Sequence, residues 1–329
     1  MMARLGAPEV GSAQTAILQG PRGEAANMQE APVIKTRVNL VGVSFTARDG
    51  RGTLVENLTK DDVEVLEDGK LQKIAHFAKS VDEPLTLGLI IDASSSQSKF
   101  YKEHEKDLEI FLKSVLGPKD RVFLLCFGNH LRLVDDLASD GGGLEAQPAA
   151  ERMLANLKIY EKRPEHFPEI GDIEYRESGT AFYDSIYFSV QERMANENGR
   201  RALLVFSDGE DNSSSHDEMT AIEAAQAANV LVYTIRYTQR MKHGELSARN
   251  KYGIRVMDRI AKETGGSSFD ATEMKPKEYF ARIAEELRTS YYIGYYPADA
   301  MKDESFRKIV IRPLVDGMKL RAKTGYFAR

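Results

Sequence analysis

Short apolar runs alternate with amphipathic stretches between Pro84 and Ser290, and few folds accommodate this order. Each run is hydrophobic on both faces, which is typical of strands buried between two layers of helices. The runs lie at residues 85–91, 121–127, 202–206 and 230–235. The intervening stretches repeat apolar residues at helical spacing, as Leu108, Phe111 and Leu112 do. The alternation therefore predicts a doubly wound α/β domain with a mostly parallel, Rossmann-like sheet.

The segments on both sides of this region have the period-two alternation of strands. Before it, candidate strands surround Val43 and Val65, and Asp68-Gly69 is typical of a hairpin turn. After it, candidate strands lie at residues 291–296, 308–311 and 319–327. Because neither flank alone has enough strands to bury a core, we expect both to pair into one small antiparallel, β-sandwich-like domain. The predicted organisation is a flexible arm at residues 1–32, a β domain at residues 33–80 and 291–329, and the α/β domain at residues 81–290.

Composition argues against nucleic-acid binding and against a membrane-spanning helix. The 329 residues include 45 basic and 50 acidic side chains, so the chain lacks the basic excess expected of a nucleic-acid-binding protein. No run of about 18 apolar residues occurs, so no membrane-spanning helix is predicted. The first ~30 residues lack the apolar core of a secretory signal. The sequence leaves the compartment and the oligomeric state open.

Polar side chains follow two of the predicted strands and precede a helix between them. Asp92, Ser94 and Ser96 follow the strand at residues 85–91, and Asp208 follows the strand at residues 202–206. Thr180 ends the segment Ser178-Gly179-Thr180, which is expected to open that helix. In a doubly wound sheet, ligands bind beyond the carboxyl ends of the strands, where the strand order reverses. The five side chains are therefore expected at one rim, although each alone also fits a helix cap or a turn.

These five side chains offer only oxygen atoms as ligands. Mg²⁺ prefers oxygen ligands in octahedral geometry and keeps several waters, and Mn²⁺ accepts similar sites. The six histidines show neither a His-x-His nor a His-Glu-x-x-His spacing, so the sequence does not indicate zinc. The set predicts one divalent cation, with Mg²⁺ as the first choice and Mn²⁺ or Ca²⁺ as alternatives.

The region from Pro84 to Ser290 resembles a von Willebrand factor type A domain. That family has a metal-ion-dependent adhesion site, which consists of an Asp-x-Ser-x-Ser run after the first strand, a Thr in a later loop and an Asp after the fourth strand. The positions are matched in order by Asp92, Ser94, Ser96, Thr180 and Asp208. The resemblance implies that the two serines and the threonine bind the cation directly and that the two aspartates act mostly through water. It also implies one open coordination position for a carboxylate of a partner protein.

The flanks are similar to those of a bacterial group called VWFA-related acidobacterial proteins. The similar segments lie at residues 58–63, 67–70 and 321–327. Members of this group usually begin with an export signal, which implies a secreted or periplasmic location. The resemblance does not supply a partner.

The resulting function is a protein-binding module, not an enzyme, whose cation captures an Asp or Glu of another protein. One alternative is a metal-dependent hydrolase, because a cation with an open position also activates water. Its candidate bases are more simply solvated loop residues: Glu177, Glu210, Asp211 and His216. The other alternative is a type A scaffold whose metal site is vestigial.

Two further segments lead to hypotheses. The loop at residues 160–178 precedes Thr180 and is a candidate for partner specificity, with a variable surface loop as the alternative. The last helix shifts in type A domains when the metal site is occupied, and here the predicted helix at residues 277–289 leads into a strand of the β domain. Binding at the metal site would then be transmitted to the flank.

Overall fold

The computed structural model describes residues 40–79, 83–115, 119–137, 146–171, 178–238, 243, 245–298 and 303–328. The predicted arm at residues 1–32 lies outside these residues. So do Glu177 and its neighbours in the loop at residues 160–178.

The described residues form fourteen strands and six α-helices. The strands are β1 Val41–Arg48, β2 Val63–Glu67, β3 Lys70–Gln72, β4 Ile74–Lys79, β5 Leu85–Asp92, β6 Arg121–Phe127, β7 Leu131–Asp135, β8 Arg200–Ser207, β9 Leu231–Arg236, β10 Ser268–Asp270, β11 Tyr291–Tyr295, β12 Phe306–Pro313, β13 Lys319–Ala322 and β14 Gly325–Phe327. The helices are α1 Tyr101–Val115, α2 Ala146–Tyr160, α3 Phe182–Phe188, α4 Glu218–Ala227, α5 Ala248–Thr264 and α6 Pro276–Arg288.

A six-stranded sheet with the order β10-β9-β8-β5-β6-β7 forms the centre of the molecule. Neighbouring strands in it are parallel except β6 and β7, which are antiparallel. The four strands expected from the apolar runs are all present, as β5, β6, β8 and β9. Two short edge strands, β7 and β10, extend the sheet beyond them.

Helices cover both faces of this sheet. Along β5 every residue is buried, and successive side chains enter opposite cores. Leu89 and Ile91 pack with residues of α1, α2 and α6, whereas Ile90 packs with residues of α3, α4 and α5. The two cores confirm the doubly wound α/β class. No helix among the described residues is both long and apolar enough to cross a membrane.

Strands from both flanks pair with each other in two four-stranded sheets. One has the order β13-β1-β11-β4 and the other the order β14-β12-β2-β3. The sheets share a hydrophobic cluster that includes Phe45 and Ile293 from the first and Val65 and Ile311 from the second. The antiparallel sheets built from both flanks are therefore confirmed, while the domain boundaries remain predictions.

The tail differs from the sequence-based expectation at residues 319–327. We expected one strand, but the structure has β13 and β14 in different sheets, separated by Lys323 and Thr324. Lys323 Nζ donates to the carbonyl oxygen of Gln226 at 2.8 Å, and Thr324 N donates to that of Glu263 at 3.1 Å. The chain leaves the strand because these two residues bond to α4 and α5.

Candidate metal site

The order of the central sheet reverses between β5 and β8. These strands are parallel neighbours, but the chain runs from β5 towards β6 on one side and from β8 towards β9 on the other. Asp92 is the last residue of β5, and Asp208 directly follows β8. Both aspartates predicted from the sequence therefore lie at the crevice where doubly wound sheets bind their ligands.

Asp92 is completely buried at the end of β5. Its Oδ1 accepts a hydrogen bond from Ser94 N at 2.9 Å, and its Oδ2 accepts one from Ser207 Oγ at 2.6 Å. Burial and the nearby Asp208 raise the pKa of Asp92 to about 7, and the hydrogen bonds from Ser207 and Ser94 oppose this shift. A buried carboxylate without a basic side chain beside it is poorly stabilised, and none of the described residues supplies one to Asp92. The position therefore favours an added positive charge.

The two predicted serines connect the end of β5 to Asp208. Ser94 is the N-cap of a 3₁₀ helix at Ser95–Phe100, but its side chain makes no capping hydrogen bond. Its Oγ lies 3.1 Å from Ser96 Oγ, which donates to Asp208 Oδ2 at 3.2 Å. Ser94 is buried and Ser96 is exposed. The hydroxyls therefore line the crevice from its interior to its opening.

A close backbone approach fixes the turn that carries Asp208. A Cβ on Gly253 of α5 would lie 2.1 Å from Asp208 O, and a Cβ on Gly209 would lie 2.6 Å from Gly253 O. Gly209 also has a φ of 76°, which favours glycine. Glu210 N donates to Asp208 Oδ1 at 3.2 Å. The carboxylate is thus held between the turn after β8 and the 3₁₀ helix after β5.

Thr180 is buried in a loop that touches both other parts of the rim. Its N donates to Asn212 Oδ1 at 2.7 Å, and its carbonyl oxygen accepts from Asn212 N at 3.1 Å. The next residue, Ala181, donates to Gly128 O at 2.8 Å, and a Cβ on Gly128 would lie 3.7 Å from Ser94 N. The helix expected to open at Thr180 begins at Phe182, with Ala181 as its N-cap. Thr180 is therefore not a capping residue, and its hydroxyl is not committed to the helix end.

The candidate bases near the rim have structural partners. Glu210 is 7% exposed, and its carboxylate pairs with Arg249 of α5. His216 Nδ1 lies 2.8 Å from Oδ1 of Asp184, a completely buried residue of α3. Glu177 lies outside the described residues. The expectation that Glu210 and His216 are solvated loop residues is wrong, because an ion pair with Arg249 holds Glu210 and a hydrogen bond with Asp184 holds His216.

Asp211 also differs from the expected solvated loop residue. Its Oδ2 accepts from Tyr183 N at 3.2 Å and from the hydroxyl of Ser214. Burial raises the pKa of Asp211, while these hydrogen bonds lower it. The carboxylate fixes the loop after β8 to the start of α3.

Two polar residues that the sequence analysis did not single out contact the aspartates. Ser207 donates to Asp92, and Gln97 Nε2 donates to Asp208 Oδ2 at 2.8 Å. The sequence could have identified them by position alone, because Gln97 directly follows the Asp-x-Ser-x-Ser run and Ser207 directly precedes Asp208. Their contacts depend on how β5 and β8 pair.

The loop predicted to determine specificity is attached to β7 in its described part. Arg132 of β7 donates to Phe167 O at 2.8 Å, and Ile170 N donates to Leu131 O at 3.1 Å. A 3₁₀ helix spans Pro164–His166. A role of this loop in partner specificity remains a prediction.

The oxygen atoms at the rim fit a hard divalent cation. Asp92 and Asp208 accept hydrogen bonds from hydroxyl, amide and backbone groups, and neither forms an ion pair with a described residue. Buried carboxylates are normally paired or bound to metal. No three His, Cys, Asp or Glu side chains within the described ranges gather into a metal-binding group. A cation here would therefore need the hydroxyl groups as well as the two carboxylates.

No family model and no curated protein matches the chain. Among solved structures, an aerotolerance-related membrane protein from Bacteroides fragilis is 15% identical over 62% of this chain and 98% of its own, with a TM-score of 0.43. The conserved hypothetical protein BatB from Bacteroides thetaiotaomicron is 15% identical over 61% of this chain and 98% of its own, with a TM-score of 0.41. Proximal thread matrix protein 1 of the mussel byssus, solved with a zinc-occupied MIDAS motif, is 12% identical over 66% of this chain and 48% of its own, with a TM-score of 0.46.

These similarities are distant, and the topology of the chain itself is more informative. The mostly parallel sheet has helices on both faces, and the Asp-x-Ser-x-Ser run lies at its switch point. This architecture is the doubly wound fold that the von Willebrand factor type A resemblance of the sequence implies, and antiparallel strands from both flanks frame it.

Proposed function

We propose that this protein is a metal-dependent binding module whose cation captures an acidic side chain of a partner protein. The observation that carries the proposal is the meeting of Asp92 and Asp208 at the switch point without a basic partner among the described residues. Two carboxylates in a buried crevice repel each other, and a divalent cation between them would remove that repulsion.

The roles of the five residues follow from their chemistry and exposure. Ser94, Ser96 and Thr180 would bind the cation through hydroxyl oxygens, and Asp92 and Asp208 would act mostly through water while supplying negative charge. Mg²⁺ is the preferred ion, because it tolerates few carboxylates and keeps some waters, with Mn²⁺ or Ca²⁺ as alternatives. Ser96 is exposed and Ser94 is buried, so a partner would approach from the side of Ser96.

A carboxylate is the partner group that best completes such a site. The proposed direct ligands are neutral hydroxyl groups and the two aspartates would act mostly through water, so the cation would keep its positive charge at the open position, where a carboxylate binds well. A partner Asp or Glu would bind the cation directly and would lose its affinity when the metal is removed. The proposed activity is therefore binding and not catalysis.

The first experiment measures metal binding by the protein alone. Isothermal titration with Mg²⁺ and Mn²⁺ should detect one site in the wild type. Asp92→Asn and Asp208→Asn should each lower the metal affinity by at least ~10-fold, because losing a residue that orients metal ligands has an effect of this size. Asp217→Asn is the matched control, because Asp217 is an exposed N-cap of α4 for which Asn is an equally good cap. Absence of binding at millimolar Mg²⁺ would overturn the proposal and would indicate a vestigial site.

The second experiment tests the partner chemistry. Immobilised peptides that carry one Asp or Glu should retain the wild-type protein in Mg²⁺ and release it with a chelator, while the matched Asn or Gln peptides should not retain it. The Asp208→Asn variant should be retained by neither set. Metal-dependent cleavage of the peptides or of phosphate esters, lost in the same variant, would contradict a purely binding role.

A further inference from the structure

Gln97 is a buried amide in contact with the proposed metal site. Its side chain is 1% exposed, in the 3₁₀ helix that follows β5. Its Nε2 donates to Asp208 Oδ2 at 2.8 Å and to Tyr237 O at 3.3 Å. The amide thus connects the segment after β5 with the turn after β8 and the segment after β9.

The two acceptors determine which way the amide faces. Asp208 Oδ2 and Tyr237 O both require a donor, so Nε2 must face them and Oε1 must face away. In this orientation Oε1 is buried and has no hydrogen-bond partner among the described residues. A buried oxygen without a partner is costly, so a residue such as Met would be better tolerated here if the amide had no other role.

The hydrogen bond from Gln97 differs from the other hydrogen bonds that the Asp208 carboxylate accepts. Its Oδ2 accepts from Ser96 Oγ and from Gln97 Nε2, and its Oδ1 accepts from Glu210 N. Ser96 is a proposed metal ligand whose oxygen must also face the cation, whereas Gln97 can remain a donor whether or not the metal is bound. Gln97 is therefore the side chain that can hold Oδ2 in one orientation in both states.

We infer that Gln97 is a positioning residue that orients Asp208 towards the cation and so sets the affinity and the ion preference of the site. This inference rests on the proposed metal-binding function. Groups that orient metal ligands typically contribute about 10–100-fold to metal affinity. Mg²⁺ demands near-ideal octahedral geometry, whereas Ca²⁺ accepts flexible arrangements. An unrestrained Asp208 should therefore weaken Mg²⁺ binding more than Ca²⁺ binding.

The variant Gln97→Met tests this inference, since it keeps the length of the side chain and removes the donor. Its matched control is Gln226→Met in α4. Gln226 is 2% exposed, and its Nε2 donates to Glu263 O at 2.9 Å and to Thr324 Oγ1 at 3.3 Å. Its Oε1 is also buried, with no partner in the part of the chain that the structure describes. Both variants lose a similar buried amide, but only Gln97→Met loses a contact with the metal site.

The experiment titrates the wild type and both variants with Mg²⁺ and with Ca²⁺ and measures thermal unfolding without metal. We expect Gln97→Met to weaken Mg²⁺ binding by ~10-fold and to lower the ratio of Mg²⁺ to Ca²⁺ affinity. Gln226→Met should match the wild type in both affinities, whatever it does to the unfolding temperature. Equal affinities in Gln97→Met and wild type would overturn this inference alone, whereas a wild type that binds neither ion would overturn the proposed function as well.

Discussion

Ser207 Oγ donates a hydrogen bond of 2.6 Å to Asp92 Oδ2, which joins the ends of the two central strands β8 and β5. Both residues are completely buried. The same hydroxyl accepts a hydrogen bond from Gly209 N at 3.0 Å, so Ser207 also fixes the turn that carries Asp208. One side chain therefore maintains the relative positions of both proposed metal-binding aspartates.

Replacing Ser207 should destabilise the protein. Ser207→Ala removes a donor from Asp92 and an acceptor from Gly209 in a buried place, and unsatisfied buried polar groups cost about 1–3 kcal/mol each. We expect the free energy of unfolding in urea, measured in chelator, to fall by roughly that amount. Ser98→Ala is the control, because Ser98 is exposed at the same rim and its hydroxyl donates to the carbonyl oxygen of Ser95. Equal stability of Ser207→Ala and wild type would show that this contact does not hold the strand ends.

Lys323 should make stability depend on pH. It is 5% exposed, and burial together with the nearby Arg201 lowers its pKa from 10.5 to about 7. Between these values the unfolded chain binds a proton that the folded chain does not, so the free energy of unfolding rises with pH through this window. Below pH ~7 both states are protonated, and the buried charge costs up to about 5 kcal/mol.

The variant Lys323→Met checks this dependence. It should exceed the wild type in stability near pH 6, and the difference should shrink as the pH rises towards ~10. Lys319→Met on the exposed side of β13 should not change the pH dependence. Urea unfolding at a series of pH values measures the free energy of unfolding of each protein. A stability difference between Lys323→Met and the wild type that stays constant with pH would contradict the shifted pKa of Lys323.

The last helix, α6, should respond to the metal. Tyr279 of α6 and Tyr237 both donate hydrogen bonds to the buried carboxylate of Asp107 in α1, and Tyr237 O accepts from Gln97 Nε2. These contacts form a route from the site to α6, which precedes β11. We expect Mg²⁺ to change amide hydrogen exchange in α6 in the wild type, and Tyr279→Phe to reduce that change.

The control for this prediction is Tyr326→Phe. The Tyr326 hydroxyl donates to the carboxylate of Glu67 at 3.0 Å between the flanking strands. Both substitutions remove one hydroxyl from a carboxylate and should cost about 1 kcal/mol of stability. Only Tyr279→Phe should alter the response of α6. Identical exchange in α6 with and without Mg²⁺ would remove the hypothesis of transmission to the flank.

Several elements could not be predicted from their own residues. The strand β10 has only three residues, and α4, rich in alanine, has no clear apolar stripe. The tail reads as one strand because its alternation continues past Lys323, whose side chain bonds to α4. In each case a partner distant in the chain decides the structure, and no local pattern reports that partner.

The sequence by itself determined the α/β class and the five candidate metal-binding residues. Strands that are apolar on both faces can be stable only between helical layers, and the order of Asp92, Ser94, Ser96, Thr180 and Asp208 is visible without coordinates. Only the tertiary structure decided that Ser207 and Gln97 hold the two aspartates. It also decided that Glu210 contacts Arg249 and that His216 contacts Asp184. Such contacts join residues more than a hundred positions apart, or join a loop to a helix, and they depend on which elements become neighbours.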